Sequence, residues 1–84
     1  MAEWFVYILE CADGSLYTGI TNNIEKRLQQ HQDGTGAKYT RGRAPHAVVF
    51  QESHPDRASA SRRENEIKSL ERNKKLALIG KAAL

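Results

Sequence analysis

The sequence predicts an α+β layer fold: a small three-stranded antiparallel sheet flanked by helices, in the order β-β-α-β-α-α. Three observations carry that expectation. Two apolar, β-branched and aromatic runs, Trp4-Phe5-Val6-Tyr7-Ile8-Leu9 and Tyr17-Thr18-Gly19-Ile20, enclose the turn signal Ala12-Asp13-Gly14-Ser15 and read as a hairpin. A third run, Ala47-Val48-Val49-Phe50-Gln51-Glu52, reads as another strand. The first run is apolar at both alternating sets of positions, Trp4, Val6, Ile8 and Phe5, Tyr7, Leu9, which suits a central strand covered by helices on both sides.

The hairpin turn can be built in two ways, and the choice decides where two tyrosines point. A two-residue Asp13-Gly14 loop pairs Glu10 with Tyr17 and puts Tyr7 and Tyr17 on opposite faces. A three-residue loop, Ala12-Asp13-Gly14, with Gly14 in the left-handed region, pairs Leu9 with Tyr17 and Tyr7 with Gly19. Both phenols then share one face, and Gly19 leaves space opposite Tyr7. Strand aromatics are common packing residues, so the spacing alone does not separate chemistry from core.

After the hairpin, Asn22 as N-cap with Glu25 three residues on predicts a helix start, and Gly34 its stop. Ile24 and Leu28 form the apolar stripe. Arg27 and His31, also four apart, form a row on its flank and border the sheet. Residues 33–43 form a Gly-rich, basic loop ending before Pro45. Pro55-Asp56 opens a helix over about Arg57–Leu70, with Ala60, Ile67 and Leu70 on its buried side and Glu64 at that side's edge. Asn73 reads as the cap of a short helix from Lys74 to Ile79, closed by Gly80; one long bent helix is the alternative.

Size and composition narrow the class. The 84 residues make one domain, 1–84, with a thin core. A single cysteine, Cys11, excludes an intramolecular disulfide and a multi-cysteine zinc site, and fits a reducing compartment. No run reaches the roughly 20 apolar residues of a spanning helix, and the N-terminus carries no secretion pattern, so the expected location is cytoplasmic, away from membranes. Residues 1–37 hold two basic against five acidic side chains, net −3, while residues 38–84 hold eleven against five, net +6. That asymmetry points to an anionic partner on the second half, or to a solvated helix surface laced with ion pairs.

Hydrolysis of a phosphodiester needs a nucleophilic water, a base beside it, positive charge on the phosphoryl oxygens and stabilisation of the leaving oxygen. Tyr7 or His31 can take the proton, although an ordinary phenol titrates near pH ~10 and Tyr7 would need cationic neighbours. Arg27 can hold phosphate oxygens bidentately without losing its charge. Glu64 can hold a divalent cation, but Glu71, on the same face of a continuous helix, competes for that role.

Val6-Tyr7-Ile8, followed ten positions after Tyr7 by Tyr17-Thr18-Gly19-Ile20, resembles the paired motif of the GIY-YIG nuclease family. Phe5 stands where the first motif has glycine, and the second reads Tyr-Thr-Gly in place of Tyr-Ile-Gly. Arg27 and His31 match an Arg followed one turn later by Tyr or His on the helix after the second motif. Glu64, in Arg63-Glu64-Asn65-Glu66-Ile67-Lys68, matches the family's metal-binding Glu on the helix after the third strand. The likeness covers nearly the whole chain, including Gly36-Ala37-Lys38-Tyr39-Thr40 and the Lys-rich closing helix, and is nearest to the short stand-alone bacterial branch.

The resemblance implies a metal-dependent endonuclease acting on nucleic acid, DNA first, in repair or recombination, with one Mg²⁺ or Mn²⁺ on Glu64. Tyr7 or His31 would activate water, Tyr17 would help orient it, Arg27 would stabilise the phosphoryl charge, and Gly19 would allow close backbone approach. Lys38, Arg41 and Arg43 would add phosphate contacts. No second recognition module is present in these residues, so specificity would come from DNA shape, a homodimer or a protein partner. A non-catalytic nucleic-acid-binding module on the same scaffold, and a small protein-interaction domain, are the alternative readings.

Overall fold

The computed structural model describes residues 3–36, 40–43 and 46–80. The elements are β1 (Trp4–Cys11), β2 (Leu16–Thr21), α1 (Ile24–Asp33), β3 (His46–His54), α2 (Arg57–Lys68) and α3 (Arg72–Leu78). The order is the predicted one, and the sheet runs β2-β1-β3 with both pairings antiparallel. β1 is central, and both of its faces are covered. Val6 and Ile8, fully buried, pack with Ala60 and Ile67 of α2, and Trp4, Leu16, Ile20, Phe50, Leu78 and Ile79 close around them. On the other face Tyr7 and Leu9 are buried, with His31 of α1 against Tyr7. Among the described residues no helix is long and apolar enough to cross a membrane.

Two helix starts differ from the sequence expectation. α1 is capped by Asn23, not Asn22: Asn23 Oδ1 accepts from the Lys26 N–H at 3.0 Å. The reason lies one residue upstream of the asparagine pair. Thr21 Oγ1 accepts from Asn23 N–H (3.1 Å) and donates to the Asn23 carbonyl (3.2 Å), a local turn that fixes Asn23 in extended conformation at the helix entrance. Glu25 then lies in the first turn, where its charge complements the helix dipole. The exit is as expected, with Gly34 at φ 79°. Asn23→Ala should lower stability by about 1 kcal/mol in urea denaturation. Asn22→Ala should leave the midpoint unchanged; the reverse pattern would show that the cap is misassigned.

The second difference concerns the C-terminal helices. α2, capped by Asp56 Oδ1 on the Ser59 N–H at 2.8 Å, stops at Lys68, and a separate α3 begins after an extended Glu71. Asn73 lies inside the first turn of α3 and not at its cap. The break at Leu70–Glu71 removes the shared face on which Glu64 and Glu71 would compete. Glu71 is exposed, whereas the Glu64 side chain is 18% exposed.

Candidate active site

The hairpin sets the site's geometry. Cys11 N–H donates to the Ser15 carbonyl and Gly14 N–H to that of Cys11, each at 2.9 Å, so the loop is the three-residue form. Gly14 has φ 83°, a conformation costly for any residue with a Cβ. The register follows: Leu9 faces Tyr17 and Tyr7 faces Gly19. Tyr7 and Tyr17 therefore share a face, their ring centroids 6.3 Å apart. Gly19 is required by contact, not by conformation. A Cβ there would lie 2.7 Å from Tyr7 Oη and 3.0 Å from Tyr17 Cε2.

α1 delivers His31 and Arg27 to the same face. His31, 1% exposed, stands with Nε2 3.0 Å from Tyr7 Oη and Nδ1 2.6 Å from Thr40 Oγ1. Its ring centroid is 5.2 Å from that of Tyr17. Burial, reinforced by the charges of Arg27 and His46, lowers its pKa to about 4, so the imidazole is neutral at neutral pH. Arg27 is half-buried, donates to Gln30 Oε1 at 3.0 Å and interacts with both the Tyr7 and the Tyr17 phenols. Burial pushes the Tyr7 phenol up to about 12, and the fields of Tyr17 and Glu64 add to the rise; Arg27 opposes it and loses. The cationic neighbour that the sequence reading required is present, yet desolvation wins, and the phenol stays protonated.

Glu64 lies on α2, which packs on the opposite face of the sheet. It pairs with Lys68 Nζ at 3.2 Å, and its charge is felt at Tyr7. Among the described residues no cluster of three or more His, Cys, Asp or Glu could hold a metal ion. A single carboxylate nevertheless suits magnesium, which keeps several waters and is commonly held by one or two carboxylates plus substrate phosphates.

The basic loop divides. Lys38 lies outside the described residues, Arg41 is exposed, and Arg43 is ion-paired with Asp13 in the hairpin turn. The Arg43 carbonyl also accepts from Ala12 N–H at 2.9 Å, which ties this loop to the hairpin.

Behind the site lies a polar network that the sequence reading did not single out. Thr40, 1% exposed, holds His31 through its hydroxyl, and its carbonyl faces His46 Nε2 at 3.0 Å. Gln32 Oε1 lies 3.0 Å from both His46 Nδ1 and the His46 backbone N–H, while its amide nitrogen donates to the His46 carbonyl at 3.3 Å. Gly36 closes over His31: a Cβ there would sit 2.6 Å from Nδ1.

A three-stranded sheet with two tyrosines on its central hairpin, an Arg and a His on the following helix and a Glu on the next defines a GIY-YIG type of domain. The GIY-YIG catalytic domain family matches residues 3–77, and the chain belongs to that family. It is 54% identical over 76 residues to a UPF0213 protein of Nitratidesulfovibrio vulgaris, covering 90% of this chain and 69% of that protein. It is 51% identical over 78 residues to a UPF0213 protein of Natronomonas pharaonis, covering 93% and 92%. The solution NMR structure of a UPF0213 protein from Bacillus halodurans superposes with a TM-score of 0.60 at 48% identity, over 92% of this chain and 82% of that one.

Proposed function

We propose that this chain is a metal-dependent endonuclease that hydrolyses DNA phosphodiesters, of the kind used in repair and recombination. One observation carries the reading: α1 brings His31 Nε2 to 3.0 Å from Tyr7 Oη and sets Arg27 against the two phenols that Tyr7 and Tyr17 present on one face of the sheet. Packing alone gives no reason to bring a guanidinium, an imidazole and two phenols together on one sheet face, since each loses hydration there.

The protonated phenol and the neutral imidazole make Tyr7 and His31 one unit. With Nδ1–H donated to Thr40 Oγ1, His31 Nε2 is the acceptor for the Tyr7 hydroxyl. An attacking water passes a proton to Tyr7 Oη as the Tyr7 proton moves to His31 Nε2, so no phenolate need accumulate. A phosphate drawn to Arg27 offsets the positive field that holds His31 down, and makes the imidazole a better acceptor when substrate is present. Arg27 supplies fixed charge to the phosphoryl oxygens. Glu64 would hold Mg²⁺ or Mn²⁺ after releasing Lys68. The ion, when bound, supplies Lewis-acid charge to the phosphate and leaving oxygen.

The test is cleavage of supercoiled plasmid, single-stranded and branched DNA in Mg²⁺ or Mn²⁺, wild type against Glu64→Ala. Cleavage should fall at least about a hundredfold, the scale for losing one transition-state charge partner, while DNA binding in EDTA persists. The Lys68–Glu64 pair is the observation that favours a binding module instead. A folded wild type that binds DNA and cleaves none of the three substrates would establish that reading.

A further inference from the structure

A cleft of about 410 Å³ runs along the free edge of β2, lined by Leu16, Tyr17, Thr18, Lys68 and Lys75. A second, of about 200 Å³, continues it past Ser15 and Arg72, sharing Leu16 and Lys75 with the first. One end of this trough is the Tyr17 phenol, and beside it stands Lys68, the ion-pair partner of Glu64. The trough therefore adjoins the proposed site through Tyr17 and through the partner of Glu64. The other end is the hairpin turn, where Arg72 Nη2 donates to the Gly14 carbonyl at 3.2 Å and so holds α3 against the hairpin.

Three cations line the trough, and their electrostatics are lopsided. Lys68 is paired with Glu64 and would lose that partner if the carboxylate held a metal. Arg72 has one carbonyl partner and keeps its other donors, and Lys75 is half-buried with no ion pair among the described residues. Glu71, the carboxylate nearest in sequence, is exposed and does not line either cleft. A half-buried lysine beside Leu16, with no ion pair among the described residues, favours an anionic occupant.

We propose that this trough carries the phosphodiester backbone of the substrate on one side of the scissile bond, with Arg72 and Lys75 as phosphate contacts; Lys68 would be free to join them if Glu64 held a metal. The trough gives the strand a fixed path and rests on the reading of Tyr17 and Glu64 as part of a nuclease site. It also shifts the expected phosphate contacts. Arg43, predicted to hold phosphate, is engaged by Asp13, and α3 supplies the charge in its place.

The test is fluorescence anisotropy in EDTA with 5′-fluorescein-labelled 20-nucleotide DNA, single-stranded and duplex, from 50 to 300 mM KCl. The proteins compared are wild type, Lys75→Gln, Arg72→Gln/Lys75→Gln, and the control Arg62→Gln/Lys74→Gln, whose exposed residues lie outside the trough. Each lost phosphate contact should flatten the log–log salt slope by roughly 0.7–0.9 and, at 50 mM, weaken binding roughly tenfold. The trough double variant should therefore lose about two orders of magnitude, its control far less, and Lys75→Arg should restore most of the Lys75→Gln loss. Equal losses in the two double variants would overturn the trough and leave the nuclease reading intact. Wild-type protein that binds neither DNA at 50 mM KCl would overturn both.

Discussion

On the nuclease reading, Gly19→Ala is expected to abolish cleavage at a cost in stability that the fold survives. The added Cβ would lie 2.7 Å from Tyr7 Oη, 2.9 Å from Tyr7 Cζ and 3.0 Å from Tyr17 Cε2, so one of the two phenols must move. Tyr7 has little room to yield. It is 2% exposed, paired directly across the β1–β2 ladder and held at its hydroxyl by His31. Overpacking of this kind costs about 1–3 kcal/mol, and each kcal/mol lowers the melting temperature of a domain this size by roughly 4–8 °C. The catalytic loss should be larger, because a displacement of about 1 Å in a reacting group can cost a hundredfold in rate. The comparison that isolates the effect is Gly14→Ala. Gly14 has φ 83°, and a methyl group added there would meet nothing within 4 Å, so alanine should strain the turn and spare the chemistry. Melting curves and cleavage rates of the two variants should separate cleanly. Gly19→Ala protein with wild-type cleavage would mean that the Tyr7 hydroxyl takes no part in the reaction.

The hairpin was legible because turn chemistry and register are coupled. Once Gly14 takes the left-handed position of a three-residue loop, the facing of Tyr7 and Gly19 and the shared face of the two tyrosines follow from the two-residue period of strands. Arg27 and His31 were legible for the same kind of reason, a four-residue spacing beside the apolar stripe of a helix. Spacing alone left Glu64 and Glu71 undecided, because they lie two turns apart on one face if the helix runs on, and the chain ends α2 at Lys68 and takes Glu71 off that face. Asn22 and Asn23 have the same capping propensity, and the choice between them belongs to the Thr21 hydroxyl. Thr40, His46, Gln32 and Gly36 had no periodic signature at all. They act through contacts that close across an irregular loop, and a buried hydroxyl on His31 is visible only when the loop is folded back. The protonation of Tyr7 was equally out of reach. Sequence shows that a cation is near, and only packing shows that burial outweighs it.

Stability should fall steeply between pH 6.5 and about 4, and His31 should account for much of the fall. Its folded pKa is about 4 against an ordinary value of 6.5, because burial, Arg27 and His46 all disfavour the imidazolium. Above pH 6.5 both folded and unfolded chains hold it neutral, and its contribution is complete. As the pH drops through that window the unfolded chain takes up a proton that the folded chain refuses, so unfolding gains free energy until the folded form also protonates near 4. The full shift corresponds to the order of ~3 kcal/mol, a large share of what an 84-residue domain has to lose. Urea midpoints measured from pH 7.5 to 4.5 should show it, and His31→Gln should flatten the curve even though the variant is less stable at pH 7.5. Every other side chain is common to both proteins, so the difference between the two curves isolates His31. Parallel curves would place the acid sensitivity elsewhere, with His46 beside Gln32 and Thr40 the next group to replace. The same burial that makes the imidazole acid-sensitive keeps it unprotonated at neutral pH, which is the state that a proton acceptor for Tyr7 requires.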